Sequence, residues 1–288
     1  MIREKQSFTL VEILVVIVII GILSSFIFFT INDSVEKASI AKSKMFSESI
    51  RNNLLLNLVS EWKFDDSTNL GLDSWGSNNG TNNGATAITD ESECISGGCA
   101  SFDGTDDYIE VSNNSTLQPQ EAITISFWMK SNIKDSTYRR IIRKDYSYFV
   151  QQMSNDRISF YLYLNSTQYA IDILSTDWNI GNWYFIVATY DKNIENNNMK
   201  LYLDSNLKSS TYHTYSITTS SSNLAMGTLL NSGGYFNGSL DEVQIYNAAI
   251  QESEIKQNYL SGLNNLYGKG LITEAEYNIK ISVLAENH

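Results

Sequence analysis

The chain has 288 residues, 42% of them apolar and 18% charged, a balance that suits a packed globular domain and excludes a disordered chain. A formal net charge of −12 excludes nucleic acid and anionic lipid headgroups as attractive partners, because phosphates reward clustered Lys and Arg, yet it permits a hard cation such as Ca²⁺. With His213 and His288 as the only histidines, a multi-histidine metal site is excluded too.

Residues 1–7 read MIREKQS, short and polar, with Arg3 and Lys5. Phe8 to Ile31 follows, almost wholly apolar. As a helix this run spans about 36 Å, against a hydrocarbon core of about 30 Å. It predicts one N-terminal transmembrane helix, in contact with membrane lipid through residues 8–31. A cleavable secretory signal has a shorter apolar stretch of about 7–15 residues and a small-residue cleavage motif close behind. Arg3 and Lys5 favour a cytoplasmic N-terminus by the positive-inside rule. The remainder is therefore expected outside the cytoplasm, on a single-pass membrane protein or at the cell surface.

Glu12 breaks the apolar run. An acidic residue at the centre of a membrane helix costs at least about 2.5 kcal/mol, and less near its start. Protonation, contact with headgroups or pairing with a cation each offset that cost. Cleavage between Ser7 and Phe8 would create an α-amino group one helical turn from Glu12, a neutralising partner on the same subunit or a neighbour.

Ser7-Phe8-Thr9-Leu10-Val11-Glu12, between a short basic leader and an apolar helix, resembles the class III signal of type IV pilins and pseudopilins. The resemblance implies that a prepilin peptidase cuts before Phe8 and methylates the new amine. It makes Ser7 and Phe8 the processing residues and Glu12 the assembly residue, pairing with the amine of another pilin subunit. Ser7 stands where that family usually has glycine.

Beyond the membrane, Ile31, Val35, Ala38, Ala41 and Met45 keep one apolar face at helical spacing. Leu54, Leu55, Leu56 and Leu58 form an apolar end suited to docking on a globular head. No glycine or proline interrupts 32–60, so one long pilin-like helix over 8–59 is the simplest expectation. The only cysteines, Cys94 and Cys99, flank Ile-Ser-Gly-Gly. In an exported segment they are expected to form a local disulfide, with reduced thiols as the alternative. Zinc would need more ligands than this pair supplies. A loop this small gains little from cross-linking, so the expected role is to pin a hairpin.

From Trp62 onward the period changes. Segments 108–111, 123–130, 158–164, 183–190, 200–203 and 240–246 alternate like half-buried strands, separated by loops rich in Asn, Ser, Gly and Asp. Residues 69–83 read as a polar loop. Many short strands with little helix between them predict an all-β antiparallel sandwich or jelly roll.

Five stretches carry a second resemblance. They are Trp62-Lys-Phe-Asp65 with Asp73–Gly80, Ala100-Ser-Phe-Asp-Gly104 leading into 107–111, Ile125–Lys130, Asn182–Tyr190, and Phe236–Tyr246 with Glu254-Ile255 beyond. In this order they resemble the laminin-G-like (LamG) branch of the concanavalin A-like jelly rolls, covering about residues 60–261. The resemblance implies a structural Ca²⁺ held by Asp241, with oxygens from Gly104 and the region of Asp65. The alternative is that Asp241 caps a turn or makes a salt bridge. Trp128 and Trp183 are expected in the core between the sheets. Trp75, Tyr138 and Tyr235 are the better candidates for stacking against a sugar.

After Glu254 the chain turns helical. Residues 251–259 read as a short helix, and Thr273-Glu-Ala-Glu276 as a capping box opening a second one. Residues 262–288 form a small helical tail. Three functional readings follow: a pilin-like subunit whose head binds a glycan or surface protein, a structural minor pseudopilin, or a tethered glycosidase. The last needs two carboxyls about 5–10 Å apart across the sugar. No Glu-x-Asp-x-x-Glu run is present, and adjacent Asp241 and Glu242 face opposite sides of a strand. No catalytic residue is therefore expected.

Overall fold

The computed structural model describes residues 56–228 and 233–286, with Leu14 and Ile17 as isolated helical positions. The chain divides into two units, Met1–Asn53 and Leu54–His288. The leader, the expected transmembrane helix and Ser7, Phe8 and Glu12 lie outside the described residues. No helix among the described residues is long and apolar enough to cross a membrane.

Among the described residues, the second unit has fifteen strands, two short 3-10 turns and two α-helices. In chain order the strands are β1 (Leu58–Trp62), β2 (Gly80–Asn83), β3 (Thr86–Ile88), β4 (Cys99–Asp103), β5 (Tyr108–Val111), β6 (Ala122–Ser131), β7 (Arg139–Lys144) and β8 (Tyr148–Gln152). Then come β9 (Ile158–Leu164), β10 (Thr167–Ile173), β11 (Trp183–Asp191), β12 (Met199–Leu203), β13 (Asn206–Thr211), β14 (Leu224–Met226) and β15 (Asn237–Tyr246). Helices α1 (Glu252–Gly268) and α2 (Glu274–Glu286) close the chain. The expected capping box is present: Thr273 N donates to Glu276 Oε2 at 2.8 Å, and Glu276 N donates to Thr273 Oγ1 at 3.2 Å.

Two antiparallel sheets face each other. The first runs β13-β12-β11-β6-β15-β4-β3, with β1 paired to the second half of β15. The second runs β10-β9-β8-β7-β14-β5-β2. Alternation decides which side chains meet. In β9, Ile158, Phe160, Leu162 and Leu164 enter the core, while Tyr161 and Tyr163 take the other face. Two-residue turns set the register of two hairpins. Asn165-Ser166 joins β9 to β10 with φ of 49° and 64°, and Asp204-Ser205 joins β12 to β13 with φ of 50° and 63°. Consecutive left-handed residues led by Asn or Asp match the right-handed twist of the strands they connect.

The main core lies between the sheets and includes Ile125, Phe127 and Met129 from β6. A second apolar cluster lies on the outer face of the first sheet, under α1. Trp128 and Trp183 belong to this second cluster and not to the space between the sheets. The reason is strand parity, since Phe127 and Met129 already take the inward phase of β6. Gly262 allows α1 to approach, because a Cβ there would sit 2.3 Å from Trp128 Cζ2.

Two boundaries differ from the sequence reading. The head begins at Leu58, where Val59 and Trp62 favour a strand and Ser60 pairs with Ile245, so the chain is extended before residue 60. Helix α1 continues to Gly268, across the expected 261/262 boundary, because Leu263 and Leu266 add to the second cluster.

Candidate functional site

Cys94 and Cys99 form a disulfide, with Cα atoms 5.6 Å apart. Two carboxylates grip the loop it closes. Asp241 is fully buried, and its Oδ2 accepts from Ile95 N at 2.8 Å and Ser96 N at 3.1 Å. Asp65 Oδ1 accepts from Gly98 N at 2.9 Å. Burial pushes the Asp241 carboxyl well above its usual range, with the neighbouring Glu242 adding to the effect. Its Oδ1 is buried without a partner among the described residues. The strand bulges here, with Glu242 in the left-handed region at φ 49°, so simple alternation fails at this pair.

Gly104 lies elsewhere. A Cβ on it would meet Asn237, the first residue of β15, whereas Asp241 lies mid-strand. The two positions are four steps apart along the strand, about 13 Å. The three residues named for calcium are thus split between two places. Gly104 belongs to a tight acidic turn in which Asp103, Asp106 and Asp107 bring one oxygen each within 4.8 Å of one another. Asp107 is buried, and its Oδ2 accepts from Asp103 N at 2.9 Å. Burial pushes the Asp107 carboxyl up, and the charges of Asp103 and Asp106 add to that. An all-oxygen donor set of this kind can hold a hard cation. No other group of three metal-ligating side chains occurs among the described residues.

The outer face of the second sheet carries a different arrangement. Register aligns Ala170, Tyr161, Phe149, Arg143, Ala225, Glu110 and Thr81 in one row across six strand pairs. Phe149 and Tyr161 stack with ring centres 4.5 Å apart and an interplanar angle of 13°. The Arg143 guanidinium lies 4.0 Å over Phe149. Its Nε donates to Asp145, and Nη1 donates to Gln151 Oε1 at 3.3 Å. Tyr146 and Tyr163 extend the aromatic surface, their ring centres 5.8 Å apart. Tyr161 and Tyr163 are half-buried, so each presents part of a ring to solvent. On the far side of the small Ala225, Glu110 Oε1 accepts from Asn223 Nδ2 at 2.7 Å. Among the described residues, no helix packs on this row. The face presents the half-exposed rings of Tyr161 and Tyr163 and exposed Tyr146, with polar side chains at the edge, while Phe149 is buried beneath them.

Of the three stacking candidates, Tyr138 and Tyr235 meet β7 at the border of this face. Tyr138 is 44% exposed and its ring lies 5.5 Å from the Arg140 guanidinium carbon, while Tyr235 bridges the Arg140 backbone. Trp75 is tied instead to the first sheet, its Nε1 donating to Leu58 O at 3.0 Å. Phe149, Tyr161, Tyr163 and Arg143 were missed in the sequence. The available signal was aromatic residues on the phase opposite Val150 and Leu162, beside the basic run Arg139-Arg-Ile-Ile-Arg-Lys144 in an acidic chain.

The fold and this face define a lectin-like jelly roll, and a family model agrees. The model for the concanavalin A-like lectin/glucanases superfamily, of the laminin G type, matches residues 103–256. The chain belongs to that superfamily. The model for the prokaryotic N-terminal methylation motif matches residues 2–28, which contain Ser7, Phe8 and Glu12.

Among solved structures, the binding domain of Paraclostridial Mosquitocidal Protein 1 is similar at TM-score 0.57 and 16% identity, over 73% of this chain and 53% of that one. The receptor-binding domain of a botulinum neurotoxin C/D mosaic serotype gives TM-score 0.56 and 17% identity, over 73% and 52%. Domain 4 of AbnA, an extracellular arabinanase from Geobacillus stearothermophilus solved in complex with arabinotriose, gives 0.53 and 20%, over 70% and 97%. The chain thus spans about half the length of the two toxin domains. No curated protein matches the chain.

Proposed function

We propose that this protein is a pilin-like subunit that displays a glycan-binding jelly roll at the cell surface. In this reading a prepilin peptidase cuts between Ser7 and Phe8. Residues 8–31 hold the chain in the membrane until assembly, and Glu12 pairs with the amine of a neighbouring subunit. The methylation-motif match over residues 2–28 supports that half.

The observation that carries the binding half is the cluster of exposed Tyr146 and half-exposed Tyr161 and Tyr163 on the second sheet, backed by buried Phe149 and by Arg143. Binding rather than catalysis also fits the similar structures, two toxin binding domains and an accessory domain of a glycosidase. A Ca²⁺ would be held by Asp103, Asp106 and Asp107, where it would fix the turn between β4 and β5. Adding Ca²⁺ to the full chain is expected to raise its unfolding temperature, by the linkage between ligand binding and stability, and Asp106→Asn to abolish the rise. An unchanged melting curve counts against the site.

The test of binding is a glycan array probed with the full-length chain in detergent, alongside Tyr161→Ala. Loss of one stacking ring removes about 0.5–1.5 kcal/mol, so signals are expected to fall about two- to tenfold at unchanged fold. Wild-type protein that binds no sugar would leave the structural pseudopilin reading in its place, and sugar release would revive the hydrolase. Mass spectrometry of the mature chain from cells tests processing: N-methylated Phe8 is expected, and an intact Met1 contradicts it.

A further inference from the structure

All four arginines among the described residues, Arg139, Arg140, Arg143 and Arg157, lie on or beside the second sheet. Three have carboxylate partners: Arg139 with Asp135, Arg143 with Asp145, and Arg157 with Asp172 at 3.2 Å. Arg140 has none among the described residues. Its one hydrogen bond there runs from Nη1 to Tyr138 O at 3.1 Å, and its Nε is buried with no acceptor. Three features hold it in place. The Tyr138 ring lies 5.5 Å from the guanidinium carbon. The Arg140 backbone N donates to Gly234 O at 2.8 Å. The Gly234 backbone then passes so close that a Cβ there would sit 1.9 Å from Nη1. Burial pulls the guanidinium pKa below its ordinary value, and the charge of Arg143 adds to that.

Asp145 acts on Arg140 only from beyond ion-pair distance, and a half-buried cation with no ion-paired carboxylate gains from a bound anion. The planar guanidinium also offers parallel N–H donors that suit a carboxylate or a sulfur oxyanion better than a neutral hydroxyl. Register sets the spacing to the aromatic row. Arg140 pairs with Gln151, and Gln151 lies two residues along β8 from Phe149. The Arg140 row is therefore about 7 Å from the Tyr161–Phe149–Arg143 row. A sugar stacked on Tyr161 can reach Arg140 with a charged substituent.

We propose that Tyr138 and Arg140 form an anionic subsite, so that the glycan bound on this face carries a carboxylate or sulfate group. The proposal rests on the glycan-binding reading above and names its ligand class. The chain is acidic overall, so local cations provide the attraction and mobile ions screen it.

The test measures affinities of the full-length chain in detergent for three probes: an oligogalacturonate, its fully methyl-esterified neutral form, and a sulfated galactan oligosaccharide. One of the two acidic probes is expected to bind at least about tenfold tighter than the ester, the scale of one charge-assisted contact, and which one it is identifies the anion. Arg140→Gln is expected to erase that preference while leaving ester affinity unchanged. Should Arg140→Gln lower the unfolding temperature, Arg140→Lys keeps the charge without the planar fork and is expected to retain part of the preference. Tyr138→Ala, at an exposed position, is expected to weaken it with no loss of stability. Equal affinity for acidic and neutral probes, unmoved by Arg140→Gln, overturns the anionic subsite and leaves glycan binding standing. Failure to bind all three probes, together with a blank array, overturns both.

Discussion

The two sheets carry aromatic side chains on their outer faces and use them in opposite ways. On the first sheet, Trp128 and Phe185 are closed over by α1, with Tyr259 stacked 5.8 Å from Trp128. On the second, Tyr161 and Tyr163 stay half-exposed, while Phe149 is buried beneath Arg143 and Tyr161. The strands are alike in their alternation, so strand chemistry does not separate the two faces. What separates them is the company each keeps. Gly262 removes the side chain that would hold a helix off the first sheet. The half-buried arginines of the second sheet would lose solvent under a helix that supplied no counter-charge, a cost of several kcal/mol per ion. Among the described residues, one face is closed by a helix and the other is not.

If that division is right, the largest effects on stability belong to the covered face. Trp128→Ala removes an aromatic ring held between Phe185, Tyr259 and α1 and is expected to cost about 3–5 kcal/mol, read by denaturant unfolding. A loss below 1 kcal/mol would mean that α1 is only loosely seated. Cys94→Ser opens the small loop that Asp241 and Asp65 grip and is expected to cost about 2 kcal/mol by the loop-entropy relation. Reduction of the wild type should reproduce that loss.

A third effect concerns a carboxyl on the same face. A cavity of about 150 Å³ between α1 and the first sheet is lined by Glu242, Trp128, Phe185, Asn258 and Gly262. Burial pushes the Glu242 carboxyl up to about 7, helped by the charge of Glu61 and opposed by Lys63. The folded state therefore holds a proton that the unfolded chain has already released between about pH 4.5 and 7. Its contribution is complete below the unfolded pKa and is lost as pH rises through the folded one, by at most about 1.4 kcal/mol per pH unit. Glu242→Gln is expected to flatten this part of the stability profile. An identical slope in the variant would show that another group carries it.

Much of the fold was readable. The strands at 108–111 and 158–164 and the capping box at Thr273 came directly from period and local chemistry. The paired cysteines were equally plain, because only one partner existed for each. What could not be read was the third dimension of alternation. Period two says that Trp128 and Phe127 point apart, but not which of them meets the other sheet and which meets a helix arriving from residue 252. The candidate face was hidden for the same reason. Tyr161, Phe149 and Arg143 are distant in sequence and become neighbours only through the register of three strands. Asp241 and Gly104 lie apart because the pairing of β4 with β15, which sets Gly104 beside Asn237 and not beside Asp241, is not written in either segment alone.

The most direct test pairs two measurements on two variants of the full-length chain, unfolding free energy and glycan affinity for Tyr161→Ala and Trp128→Ala. A crossed result is expected. Tyr161→Ala loses about two- to tenfold in affinity and only about 0.5–1.5 kcal/mol of stability with its stack on Phe149 gone, while Trp128→Ala loses about 3–5 kcal/mol and binds normally below its unfolding midpoint. Normal binding by Tyr161→Ala, with affinity lost instead in folded Trp128→Ala, would place the ligand under α1 and contradict the assignment of the open face.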